Sequence, residues 1–441
     1  MKIKIRIFSL LGLCLWTVAC FDLAPKTNND GATVVDGITA YVQDTFHQPD
    51  GPLSSNWIPL PRLALVQKTV LPPVVKSGGW TIAPSFYDGA AIYQGTFANN
   101  QWAAARIQAL SATGTDVQLG LCIRCSVVNG FFNGYYLLIG PNNLENGRAA
   151  TVEIWEAYNG EATFLTIPYA NQSVPLTVGD TIMFMAVGNQ LIFKMYEPSY
   201  STAALISQTF TNNDISSGSP GIVTQTAEQS VASQGTQFGQ FAAGSFDPNQ
   251  SEAVPLFGAI VPVASDDFDR DDGPIGAGNS NWTYSFASTR PGGLQVLSSA
   301  LAPTPQSTFN STAAYYSGDR FSQDQYAEGT VLAGDSLTQH TSIGLRVSRT
   351  SGGYTLSMGT NGSFGLTTGS VTLAPFPASN AGDVWRLAIK GIAIFVLKNG
   401  TLQYICTDDT IPTGWPGVGG VIAASQVASG DLSAWTAGTI Q

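Results

Sequence analysis

Charge is scarce in this chain: 11% of its 441 residues are charged, and 19 Lys and Arg face 30 Asp and Glu. The net charge is −11, and Lys and Arg form no cluster or stripe. That argues against nucleic acid as a partner, since such binding needs grouped basic side chains to displace phosphate counterions. Histidine is scarcer still, with only His47 and His340. A His-based zinc site or a Ser-His-Asp triad therefore lacks most of its parts. Five cysteines are too few for a disulfide-built fold. Cys122 and Cys125 form a Cys-x-x-Cys pair inside a predicted strand, where a spacing of three sends side chains to opposite faces. They read as buried thiols, and no metal or redox centre is expected from them.

What the chain has in quantity is glycine (47 residues), Ser, Thr and aromatics (10%). That composition favours many short strands joined by turns, so the fold class is all-β. The length suits two domains with a core each. At the N-terminus Lys2, Lys4 and Arg6 precede an apolar run, Ile7 to Ala19, that is too short to span a bilayer as a helix. Residues 1–20 read as an export signal. The polar stretch 21–39, without apolar periodicity, is expected to be a tether.

The rest of the chain repeats itself. Asp44-Thr45-Phe46 with Asp50-Gly51-Pro52 and Asn56-Trp57 returns as Asp266-Asp267-Phe268 with Asp272-Gly273-Pro274 and Asn281-Trp282. Further matches keep the order: Phe97 to Ala103 with Phe321 to Ala327, Leu119 to Arg124 with Ile343 to Ser348, and Gly134-Tyr135-Tyr136 with Gly353-Tyr354-Thr355. Gly179-Asp180 then matches Gly382-Asp383, Gly218 to Ile222 matches Gly414 to Val418, and Phe241 to Gly244 matches Trp435 to Gly438. Matches at several separate places imply two homologous units, 40–246 and 265–441, joined by a linker at 247–264 with an apolar patch, Val254 to Phe257. After Asp180 both alternating sets are apolar, which predicts a strand covered on both sides; after Asp383 the set Val384, Arg386, Ala388 predicts one wetter face. The aromatics found in both copies, Trp57 with Trp282, Trp102 with Tyr326 and Phe241 with Trp435, are expected to be core.

An Asp-x-Phe strand followed by Asp-Gly and Trp, then Gly-Tyr, Gly-Asp and Gly-x-Pro-Gly strands and a closing aromatic strand, resembles the concanavalin A-like, laminin-G-like jelly roll, twice over. The resemblance implies two tandem antiparallel β-sandwich domains, each with a face and rim loops where family members bind glycans, sometimes through calcium. Thr17-Val18-Ala19-Cys20 resembles the lipobox of bacterial lipoproteins, with Thr17 where Leu is usual. It implies acylation at Cys20 and an address in the cell envelope, at the outer membrane or surface because Phe21 and not Asp follows. Membrane contact is then through the lipid anchor alone. The sequence carries no signal for oligomeric state.

Candidate chemistry is sparse. A glycoside hydrolase needs two carboxylates on one face, and Glu153 and Glu156, three apart on a strand, face opposite ways. The expectation is a non-catalytic protein without an obligatory cofactor, binding glycan or another surface polymer. A polysaccharide hydrolase or lyase and a structural module binding protein are the alternatives. Trp155, on the strand face of Glu153 and Ala157 with Tyr158 just beyond, is a flat ring beside an acid, which suits a sugar. Trp415 beside the loop acids Asp408 and Asp409 is the counterpart in the second unit. The acids Asp266, Asp267, Asp269 and Asp271 are the oxygen-rich place for a calcium ion, though the Gly that an EF-hand turn requires is replaced by Asp272.

Overall fold

The computed structural model describes residues within 31–441, apart from 36–37, 61–71, 82–87, 111–116, 142–148, 160, 166–173, 176, 197–205, 213, 227–235, 246–259, 278–280, 286–292, 305–309, 333–338, 351, 359–363, 369–370, 377 and 423–431. Cys20 with the export signal, residues 21–30 and the Val254 to Phe257 patch lie outside the described residues. The described residues contain no helix. They form two tandem antiparallel sandwiches, each of two sheets. Strands begin earlier than the sequence reading allows. Gly31–Val35 pairs with Ile38–Asp44 inside the stretch expected to be tether, and Ile260–Asp266 starts inside the expected linker.

In the first sandwich, sheet I centres on Thr181–Val187, Gln101–Ala109 and Gln237–Ser245, and sheet II runs Glu161–Leu165, Ala149–Tyr158, Phe131–Pro141, Val117–Val128, Ser219–Thr226, Asp88–Tyr93. Ala103, Ile182, Phe184 and Phe241 of sheet I meet Leu121, Tyr135, Leu137 and Ile154 of sheet II in one core. In the second, sheet III centres on Leu432–Ile440, Gln325–Val331, Val384–Lys390, Ala393–Lys398 and Thr401–Thr407. Sheet IV holds Asn310–Tyr316, Trp415–Ile422, Gln339–Val347, Tyr354–Met358, Phe364–Thr368 and Val371–Phe376.

A shared frame of buried polar groups explains why the repeat is recognisable. Asp44 accepts from Phe46 N at 2.7 Å and Trp57 Nε1 at 2.6 Å, and Asp266 accepts from Phe268 N at 2.8 Å and Trp282 Nε1 at 2.7 Å. Both carboxylates are buried with donors on each oxygen, which offsets the cost of removing the charge from water. Gln101 Oε1 accepts Arg124 N at 2.9 Å, and Gln325 Oε1 accepts Arg346 N at 3.2 Å. The two arginines are buried at φ 52 and 51 and tie loops together through backbone carbonyls: Asn99, Gly188 and Ile215 for Arg124, and Gln323, Gly391 and Ile411 for Arg346. Burial depresses both guanidinium pKa values.

This frame corrects the sequence alignment by two residues, because Arg124 corresponds to Arg346 and not to Ser348. The same bulge corrects the cysteine reading. An extra residue in a bulge shifts the alternation of faces, so Cys122 and Cys125 both fall in the cluster with Phe132, Tyr136 and Val223, as buried free thiols. Burial, with Cys122 alongside, raises the Cys125 pKa.

The sandwiches are joined through sheet I. Its face away from the core carries Trp102, Ala104, Met183, Met185, Tyr196 and Ala242, all buried in the cluster that includes Phe395 and Tyr404 of sheet III. Trp102 meets Phe395 edge-on at 5.7 Å, and Tyr196 meets Tyr404 at 5.2 Å. The strand after Asp180 is thus apolar on both faces because both are covered. Trp102 is a junction residue and not sandwich core, whereas Trp57 with Phe241 (5.0 Å) and Trp282 with Trp435 (4.8 Å) are core in both copies. On the corresponding face of sheet III, Arg386 bonds Glu328 at 2.6 Å and stacks 5.5 Å over Tyr326.

Candidate functional site

Aromatic side chains on the outward face of sheet II form the most ordered candidate. The strand Ala149–Tyr158 has Ile154 and Val152 in the core, so alternation turns Glu153, Trp155 and Ala157 outward. Trp155 pairs with Tyr136 on one neighbouring strand and with Phe164 on the other. Cross-strand register therefore makes a row of three rings. Tyr136 and Trp155 are near-parallel, 6.3 Å apart at 7°, and Phe164 meets Trp155 edge-on at 5.2 Å. Trp155 Nε1 donates to Glu153 Oε2 at 2.9 Å, which fixes the indole and leaves the second carboxylate oxygen as an acceptor beside it. Trp155 is half-buried, and Phe164 stands on the edge strand 37% exposed.

Tyr158 takes a different place from the one its sequence position suggested. It has the parity of Glu156 and Ile154, so it leaves the Trp155 face and stands 47% exposed at the hairpin end. Phe164 fills the position beside Trp155. Sequence reasoning missed it, although Tyr158 pairs with Glu161 and hence Trp155 with Phe164. Glu156 faces the other way, accepts from Asn212 Nδ2 at 3.1 Å and has its Oε1 buried without a partner. Burial raises its pKa. The two glutamates of this strand thus project from opposite faces.

The second group of candidates is divided. Asp408 is buried, accepting from Tyr354 Oη at 2.5 Å and Thr410 N at 2.9 Å and pairing with Arg106 of the first sandwich at 3.3 Å. Asp409 meets Gln240 Nε2 at 2.9 Å and His47 Nε2 at 3.6 Å. Both acids hold the junction. Trp415 lies on sheet IV, 38% exposed and stacked 5.2 Å from Tyr315.

The acidic run is spent on its own turn. Asp266 takes the two donors above and Arg270 Nη1 at 2.6 Å, Asp267 accepts from Asp269 N at 3.1 Å, Asp269 accepts from Ser299 Oγ at 3.2 Å, and Asp271 is exposed. Carboxylates facing separate donors do not surround a calcium ion. Among the described residues no three His, Cys, Asp or Glu side chains converge to hold a metal.

No family model and no curated relative matches the chain. Solved structures resemble it at low identity. The CBM2 module of an evolved Dit protein from Lactobacillus casei BL23 phage J-1 is 11% identical at a TM-score of 0.33, covering 46% of this chain and 95% of its own. The carbohydrate-binding module CBM66 from Bacillus subtilis is 13% identical at 0.29, covering 45% and 100%. SCLam, a non-specific endo-β-1,3(4)-glucanase, is 11% identical at 0.31, covering 43% and 93%. These likenesses are ones of fold, and each covers less than half of this chain.

Proposed function

We propose that the chain is a non-catalytic glycan-binding protein of the cell envelope, anchored through Cys20, and that Trp155 and Phe164, backed by the buried Tyr136, are its binding platform. The observation that carries this reading is the half-buried Trp155 ring, held by its own Nε1 bond to Glu153 and by Tyr136 beneath it. A fixed aromatic face loses little entropy on binding. It offers its π surface to the C–H face of a sugar while the Glu153 carboxylate takes a hydroxyl. A row running across strands suits a chain of sugars better than a single one. The opposed Glu153 and Glu156 leave the row without the paired carboxylates that glycoside hydrolysis requires.

The test is a glycan array probed with the full chain and with Trp155→Ala, folding being checked by circular dichroism. The reading expects binding to a polysaccharide or oligosaccharide class that Trp155→Ala reduces at least tenfold. Equal binding by the two proteins would remove the platform from the account.

A further inference from the structure

The first sandwich carries a cleft of ≈ 390 Å³ beside the junction, lined by His47, Arg106, Gln108, Val178 and Gln240 with Gly78 and Gly239. That volume is within the range of ligand pockets, about 300–1,000 Å³. Asp409 of the second sandwich holds two of the lining side chains, His47 and Gln240, so the second sandwich positions part of the wall.

The sandwich fold does not demand these polar residues. Ile107 N bonds Asp180 O as Val331 N bonds Asp383 O, which sets Arg106 and Gln108 against Thr330 and Leu332. By the same frame His47 corresponds to Asp269, and Gln240 to Ala434, the residues next to Phe46 and Phe268 and to Phe241 and Trp435. Gln240 is also held at φ 54, inside the second of two shifts of register against Gln101–Ala109, where the corresponding pair in the second sandwich has one. A left-handed non-glycine residue in a bulge is strained, and such strain gathers at binding sites. The Gln240 Oε1 atom is buried with no partner, a hydrogen-bond deficit in the cleft wall.

The chemistry of the wall selects the ligand. Arg106 pairs with Asp408, and His47 stands against Asp409, so no charge is left over to capture an ion. What remains is the rest of the Arg106 donor fork, the carbonyl oxygens of Gln108 and Gln240, whose amide nitrogens already donate to Ser77 O and Asp409 Oδ1 at 2.9 Å each, and the 58% exposed Val178. A group that both donates and accepts next to each of these, with a C–H face for Val178, is a ring bearing several hydroxyls. We infer that this cleft binds one uncharged polyhydroxylated ring of hexose size, independently of the Trp155 row on the other sheet.

Saturation-transfer NMR on the full chain with glucose, galactose and mannose as probes tests this. The inference expects transfer to at least one hexose in the wild type and in Trp155→Ala, and loss of the transfer that Trp155→Ala retains when Arg106→Thr or Gln108→Leu, which install the second sandwich's residues, is added to it. Gln108 is exposed and outside the ion pairs, so Gln108→Leu remains informative if Arg106→Thr does not fold. Absence of transfer in the wild type, persistence in the folded double variant Trp155→Ala with Gln108→Leu, or loss in Trp155→Ala alone would each overturn it.

Discussion

Where sheet II sets Tyr136, Trp155 and Phe164 side by side, the corresponding row of sheet IV reads Thr355, Thr367 and Thr372. Tyr135 and Tyr354 fix the correspondence, since each hydroxyl accepts from an isoleucine N, Ile215 at 2.9 Å and Ile411 at 3.1 Å. Sheet IV has instead its own stacked pair, the buried Tyr315 with the exposed Trp415, where the first sandwich has Ile92 and Ser219. Sheets I and III diverge as well: Trp102, Ala104 and Met183 become Tyr326, Glu328 and Arg386. The buried polar frame is thus common to both copies, while each outward face is particular to one. Packing and hydrogen bonding constrain the interior alike in both, whereas a face answers only to what covers it.

Breaking the frame has the largest expected effect. Arg346→Met leaves the carbonyls of Gln323, Gly391 and Ile411 without their donor, and hydrogen bonds to a charged group contribute about 1.5–3 kcal/mol each. Urea denaturation is expected to show a loss of at least about 3 kcal/mol, and a similar loss for Arg124→Met. A loss confined to one of the two would show that the frames are not equivalent.

Glycine positions separate frame from junction. Gly188 and Gly391 correspond, at φ 56 and 57. A Cβ at Gly188 meets nothing, whereas at Gly391 it overlaps Gln43 Oε1 and crowds the Tyr41 ring. Those two side chains accept from Ile392 N, at 2.9 Å for Gln43 and 3.3 Å for Tyr41. Gly188→Ala is expected to cost about 1–2 kcal/mol for the left-handed backbone alone. Gly391→Ala is expected to cost more and to increase hydrogen exchange at Ile392 and Ala393. Equal effects would mean that the junction tolerates displacement.

The smallest effect is electrostatic. Burial raises the Glu156 pKa above its ordinary 4.5, so the folded state favours the protonated form. Its contribution is present below that value and is lost as pH rises through the folded pKa. Glu156→Gln is expected to flatten the stability profile above pH 4.5 and to be the more stable protein at neutral pH. Parallel profiles would contradict this.

The fold was legible because its frame is written in residue types that recur: Asp before Phe, Gly-Asp, Gly-x-Pro-Gly and the core Trp positions. Bulges were not legible. Arg124 and Arg346 shift the strand alternation, which misplaced Cys125 and displaced the alignment by two. Trp155 and Glu153 could be read on one face, because alternation needs only one strand. Tyr136 and Phe164 required cross-strand register, and the role of Asp408 and Asp409 required knowing which surface the second sandwich covers.

Affinity electrophoresis of the full chain through gels cast with a panel of neutral polysaccharides tests the central claim most directly. The account predicts retardation by at least one polymer for the wild type, lost in Trp155→Ala with Phe164→Ala and kept in Thr367→Ala, the position of the other copy that matches Trp155. Retardation unchanged by the aromatic substitutions, or lost equally with Thr367→Ala, would contradict it.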